Sequence, residues 1–198
     1  MAGSMYDRII RINCAAGTGE IWNVPETLKP WIGGMGYGTK ILCDEVSPEI
    51  DALSPENKIV LTVGPLTGTT APLHAQSCIV TKSPLTGTIL NSYAGGFVGA
   101  EIKYCGIDGV IFEGKSEKWK IIFIDDDKVS FVSAESVMGM GTEETETWIK
   151  EHYGQDYKTM SIGRAGEKEV RMAALFSETR TYGRGGVGAV FGSKRIKA

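Results

Sequence analysis

The sequence predicts an α+β domain built on mixed β-sheets, and three observations carry that prediction. Short β-type runs dominate the chain, helical patterns are inserted between them irregularly, and β-α-β alternation is never sustained. No Pro- or Ser-rich linker divides the 198 residues, a length suited to one sizeable core, so 5–198 reads as one structural unit. Met1–Ser4 reads as an expression scar before a natural Met5.

The elements follow in order. DRIIRIN (7–13) and EIWNV (20–24) flank the turn AAGTG and predict a hairpin. ETLKPWIGG and then YGTKILCDEV (37–46) predict two short helices around the cluster Gly33, Gly34, Gly36, Gly38, with Pro30 shortening the first. NKIVLTVG (57–64) is a buried-strand run, and SCIVTK (77–82) is the next strand; each ends at a copy of PLTGT, Pro65–Thr69 and Pro84–Thr88. GGFVGAEIKYCG (95–106) has helical apolar spacing and a closing glycine. GVIFEG, KWKIIFID and KVSFVS predict three strands, the last two joined by the polar turn Asp125–Lys128. After Gly141 comes the clearest helix, with Thr142 as its cap, Glu143 and Glu144 at its positive end, and His152 and Gly154 at its stop. KTMSIG and VRMAALF are the final strands before the glycine-dense tail TYGRGGVGAVFG. The chain stops soon after that apolar segment, so it reads as truncated.

Composition excludes several classes. A net charge of −3 offers no basic surface for nucleic acid. No apolar run approaches the ~20 residues that span a bilayer, and the N-terminus lacks a signal-peptide pattern, so the expected location is cytoplasmic. Cys14, Cys43, Cys78 and Cys105 are scattered with no CxxC, which argues for reduced thiols used as small buried apolar residues. Glycine is the outlier: its 26 residues are about twice the usual share, and such positions mark positive φ or close backbone approach.

Two motifs tempt. Gly109–Ser116, GVIFEGKS, satisfies the Walker A pattern, but its loop is itself strand-like and no helix follows to aim N–H groups at phosphates. Gly183–Gly188, GRGGVG, satisfies GxGxxG, yet too few residues follow for the acidic partner of a dinucleotide site. Two readings of it stay open: a backbone-rich anion site flanked by Arg180 and Arg184, or a glycine-rich turn packed against a sheet. The two histidines divide similarly. His152 suits a helix C-terminus, whereas His74 sits in the loop TAPLHAQS, either exposed or facing a ligand.

LSPENKIVLTVGPLTGTTAP, TKSPLTGT, AGGFVGAEIKYCGIDGVIFEGKSE, SIGRAGE and GRGGVGAVFGSK, in this order, resemble the N-terminal domain of the tungsten-containing aldehyde:ferredoxin oxidoreductases. The likeness runs from about Tyr6 to Lys197. It implies an internally duplicated α+β unit whose two sheets form the base of a bis-pterin site. There two molybdopterin-type dithiolenes hold one tungsten (or molybdenum), and magnesium links their phosphates. Iron–sulfur cysteines and catalytic groups belong to later domains in this family, so no catalytic residue is assigned here and a [4Fe-4S] cluster enters only through those C-terminal domains. The resemblance implies an oxidoreductase that turns a small-molecule aldehyde into a carboxylic acid with ferredoxin as acceptor, and it allows a homodimer. Alternatives are a relative acting on another substrate, such as an aromatic acyl thioester, and a stand-alone pterin-binding or scaffolding subunit.

Three segments carry the cofactor-binding expectation. The loop after the first PLTGT brings Gln76 to the position of the family's pterin-contacting arginine, so the charge is lost there. The loop after the second brings Tyr93, Ala94, Gly95 and Gly96, with the Tyr93 backbone carbonyl offered to magnesium. Arg180, Thr181, Tyr182, Gly183, Arg184 and Gly185 resemble a phosphate-holding segment, with the Thr181 carbonyl as a second magnesium ligand. Tyr182 is bulkier than the family's alanine and is expected to alter the pocket.

Overall fold

The computed structural model describes residues 5–198, so the reading of Met1–Ser4 lies outside the described residues. The β hairpin forms as β1 (Arg8–Asn13) and β2 (Thr18–Asn23). The proline-containing run makes only a 3-10 turn, Lys29–Trp31, before α1 (Gly34–Glu45). β3 (Ile59–Val63) and β4 (Ser77–Lys82) end where the two PLTGT copies begin. Where a loop is expected after the second PLTGT, the chain instead forms β5 (Ile89–Ala94), paired antiparallel with β4. Next come α2 (Val98–Tyr104), β6 (Gly109–Glu113), β7 (Lys120–Asp125) and β8 (Lys128–Ser133).

α3 (Thr142–Tyr153) is capped by Gly141 rather than Thr142. The Glu144 carboxylate reaches back to accept from the Gly141 N–H at 2.7 Å, satisfying a donor the helix leaves orphaned. The expected final strands shrink to β9 (Met160–Ser161) and β10 (Leu175–Ser177), separated by the short helix α4 (Arg164–Glu167). The glycine-dense tail is not irregular: it contains β11 (Arg180–Tyr182) and the fully buried helix α5 (Val187–Ser193).

Among the described residues these strands form three sheets where the resemblance implies two. The largest runs β2-β1-β6-β3-β4-β5 and is antiparallel except for the β1–β6 pair. β11-β10-β9 and β7-β8 form the others. β3 is buried along its whole length because both sheet faces are covered. Val60, Ile111, Tyr37 and Ile41 pack the α1 side, whereas Ile10, Leu61, Ile79, Val110, Phe112 and the α5 residues Val190 and Phe191 pack the other. Burying a side chain such as Phe191 is worth about 2–3 kcal/mol, and α5 relies on such burial because its glycines disfavour helix.

The Walker-like stretch becomes β6, an interior strand of the large sheet, so the rejected phosphate loop has no place to form. GRGGVG does stand between a strand and a helix, but its glycines serve packing. A Cβ on Gly186 (φ +85°) would overlap the Arg171 carbonyl oxygen, and one on Gly188 would overlap that of Ala174. The Gly188 N–H is already donated to the Ala173 carbonyl.

Candidate cofactor site

The site grows out of the first PLTGT turn. Gly68 (φ +75°) lets the chain reverse after β3, and the Thr67 hydroxyl is drawn inward. That hydroxyl accepts from the Gly64 N–H at 3.2 Å and donates to the Gln76 carbonyl at 3.1 Å, tying the excursion of residues 65–76 shut at the start of β4. Beside the tie lies a pocket of about 340 Å³. Gly64–Thr67, Ala71–His74 and Gln76–Cys78 form its rim and wall, Thr62 and Gly34 its floor, and Tyr93 its far side. Thr62 donates its hydroxyl to the Gly34 carbonyl at 2.7 Å, joining the floor to the start of α1.

Gln76, in the loop before β4, and Tyr93, on β5, therefore line the same pocket. Tyr93 arrives because Cys78 and Tyr93 are cross-strand partners in the β4–β5 ladder. Burial pushes the Cys78 thiol up to about 11, with the Tyr93 hydroxyl pulling slightly the other way. The Tyr93 phenol is raised, by partial burial first and by Cys78 second. Both stay protonated at neutral pH. Among the described residues, the lining holds no Lys, Arg, Asp or Glu.

The third segment comes from the other sheet. β11 is the end strand of its sheet and packs against β5, the end strand of the large one. Gly96 sits against Arg180: a Cβ there would lie 3.4 Å from Arg180 Cγ. The Arg184 N–H donates to the Ser92 hydroxyl at 3.4 Å, and the Gly185 carbonyl accepts from the Ser83 hydroxyl at 2.6 Å. Arg180, Thr181, Gly183 and Arg184 are exposed, and among the described residues neither arginine pairs with a carboxylate.

Two expectations need correction. Tyr182 does not intrude on the pocket: its ring is fully buried and its hydroxyl lies 2.6 Å from the Ser77 hydroxyl, beneath the β4 start. Its extra bulk is absorbed by the core. The second PLTGT does not open a loop toward the site either. It is the β4–β5 turn, separated from the pocket-lining pair Cys78 and Tyr93 by residues 79–82 and 89–92, which is about 13 Å at strand rise. Ala94 is buried, its carbonyl accepting from the Ser77 hydroxyl at 3.4 Å, while Gly95 and Gly96 are half-exposed at the end of β5.

A large polar ligand fits what these segments offer. Edge strands leave unpaired backbone carbonyls, which suit a hard cation such as magnesium. Gly95 and Gly96 leave room for close backbone approach. The buried Nδ1 of His74 has no hydrogen-bond partner. Sequence reasoning missed Thr67 and Cys78, whose part in the site depends on cross-loop and cross-strand neighbours. Among the described residues no group of three or more His, Cys, Asp or Glu is placed to hold a metal. No described helix is long and apolar enough to cross a membrane. A separate apolar cavity between α2, β7 and α5 contains none of the predicted site residues.

Comparison with known proteins bears on the family and the fold. The family model for the aldehyde ferredoxin oxidoreductase N-terminal domain matches residues 9–198. Tungsten-containing aldehyde ferredoxin oxidoreductases of Pyrococcus horikoshii and Pyrococcus furiosus are 45% and 43% identical, each over 98% of this chain. The chain spans 32% of the length of each. Among solved structures, the active site complex BamBC of benzoyl coenzyme A reductase, in complex with 1,5-dienoyl-CoA, superposes with a TM-score of 0.94 at 34% identity. That match covers 100% of this chain and 30% of that one.

Proposed function

Because the chain belongs to the aldehyde ferredoxin oxidoreductase family, we propose that it is the cofactor-binding base of a tungsten- or molybdenum-containing bis-pterin oxidoreductase. The observation that carries this reading is the adjacency of three segments far apart in sequence: the 64–76 loop shares a pocket with Tyr93 of β5, and β5 packs against β11. Gln76 and Tyr93 would hydrogen-bond the pterin from the pocket side. Gly95 and Gly96 would let it approach the backbone, and Arg180 and Arg184 would hold its phosphates by charge-assisted bonds. The carbonyls of Tyr93 and Thr181 would serve magnesium. When bound, the metal dithiolene supplies two-electron redox chemistry, while the protein binds and orients it. The internal duplication expected of the family belongs to the same reading.

In this proposal the full-length enzyme oxidises an aldehyde to a carboxylic acid and passes electrons through a [4Fe-4S] cluster in its C-terminal domains to ferredoxin. These 198 residues alone are inactive. The similarity to a benzoyl coenzyme A reductase complex, with neutral Gln76 in place of arginine, favours a second reading in which the substrate is an aromatic acyl thioester. One experiment addresses both. The full-length protein, purified anaerobically, is assayed for tungsten, molybdenum and pterin, then for dye-coupled turnover of aldehydes and of aromatic acyl thioesters. Metal, pterin and aldehyde turnover are expected; a protein with neither metal nor pterin refutes the proposal, and turnover of thioesters alone selects the second reading.

A further inference from the structure

The apolar cavity between α2, β7 and α5 has a volume of about 140 Å³, with Leu61, Ile102, Phe112, Ile122, Ile124 and Met160 among its walls. Ala198 lines it too. Backbone bonds bring the chain there. The Lys120 N–H donates to the Arg195 carbonyl at 2.9 Å, the Lys197 N–H to the Lys120 carbonyl at 2.8 Å, and the Ile122 N–H to the Ala198 carbonyl at 3.0 Å. Residues 195–198 thus run parallel along the edge of β7 that β8 does not use, with Lys120 and Ile196 as bridge partners. On its other side this segment accepts, at the Lys197 carbonyl, from the Ile162 N–H at 3.1 Å.

Strand geometry then fixes which part of the edge stays open. Backbone groups alternate sides along a strand, so Lys120, Ile122 and Ile124 point their N–H groups away from β8. Those of Lys120 and Ile122 are paired there, whereas among the described residues nothing meets the Ile124 N–H. An unpaired strand edge is a template for another strand, and this one borders an apolar cavity. Both faces of β7 are apolar as well. Ile122 and Ile124 pack with the cluster of Leu61 and Phe112, while Ile121, Phe123 and Ala198 pack with that of Val137 and Ile149.

We infer that this edge is a docking groove for an extended apolar segment, and that its occupant is the polypeptide's own continuation past Ala198. The ladder already directs Ala198 along β7 toward Ile124, and the chain spans 32% of the length of the relatives named above. The continuation lies parallel to β7 for about three residues, the length of that strand beyond Ile122, and the Ile124 N–H donates to the carbonyl of the second residue after Ala198. Cover on both faces calls for β-branched apolar side chains in that stretch. The inference rests on the full-length reading above but not on its cofactor.

The test is residue-resolved amide exchange, read by mass spectrometry, on the anaerobically purified full-length protein. Ile124 is expected to exchange about 100-fold more slowly than Asp126 and Asp127 in the adjacent turn, in the same class as Ile122. Proline replacing the second residue after Ala198 should speed Ile124 exchange about tenfold, while Ile111, inside the large sheet, stays protected. If that variant fails to fold, a thiol crosslink decides: Ile124→Cys and a cysteine at the third residue after Ala198, with Cys105→Ser, should be bridged within one chain by dibromobimane. Exchange of Ile124 as fast as the turn, or no crosslink, overturns the assignment. Protection that survives the proline, or that needs a second protein, shows a different occupant and overturns it too. A protected Ile124 in a protein without metal or pterin refutes the cofactor reading and leaves this one standing; an unprotected Ile124 in the metal-loaded enzyme does the reverse.

Discussion

The two PLTGT turns share five residues and part company in everything beyond them. Gly68 and Gly87 adopt φ of +75° and +74°, so local sequence sets the same backbone reversal twice. In the first copy Thr67 is buried and ties β3 to β4, and Pro65 and Leu66 line the pocket. In the second copy Thr86 is exposed, and the turn only joins β4 to β5. Its flanks still matter: the Ser83 hydroxyl holds the Gly185 carbonyl, and Pro84 abuts Gly186. Identical turns thus serve different ends, one walling a ligand site and the other anchoring the chain that enters α5. What a turn does is decided by what its strands deliver it to.

Substitutions test that contrast, and the largest effect is expected behind the second turn. In Gly186→Ala the new methyl would overlap the Arg171 carbonyl oxygen, lie 2.8 Å from Pro84 Cγ and sit at φ +85°. The expected cost is roughly 3 kcal/mol or more, a fall in Tm of about 6–12 °C by calorimetry. An unchanged Tm would show that the second turn anchors nothing.

Next comes the direct comparison of the copies. Thr67→Val leaves the Gly64 N–H and the Gln76 carbonyl without their shared partner, for about 2 kcal/mol in urea unfolding. Thr86→Val on the exposed copy should stay within about 0.5 kcal/mol. Equal losses would erase the distinction between the turns.

The smallest effect is chemical. Cys78, in the pocket wall, has its thiol pushed up to about 11, so roughly one molecule in a thousand carries thiolate at pH 8. Exposed Cys43 on α1 should react with a maleimide first, and mass spectrometry of the native protein at pH 8 should find Cys78 unmodified until the fold is lost. Early labelling of Cys78 would mean that the pocket wall opens.

Legibility followed how local each signal was. β3 and β4 were readable because continuous apolar runs bounded by turn residues have few other uses. β5 was not, since ILNSYA at a sheet end is half polar and looks like loop. α5 was hidden by three glycines around GGVG, whose low helix propensity is overridden by burial against Ala173, Ala174 and the large sheet. The same logic divides the thiols: Cys14 and Cys78 are buried as expected, Cys43 is exposed and Cys105 lies between. Gln76 could be placed by motif. That Cys78 would face Tyr93, or that Tyr182 would turn inward to Ser77, depends on strand register and sheet packing, which a linear reading does not contain.

The meeting of β5 and β11 has a consequence for how the molecule opens. The two strands end different sheets and touch without a shared ladder, so their seam lacks the cooperative row of backbone bonds that protects a sheet interior. A ligand gripping both edges acts there as a rivet. At a concentration 100 times its dissociation constant it would add about 2.7 kcal/mol to the closed form, and the seam would be the first place amide exchange slows on loading.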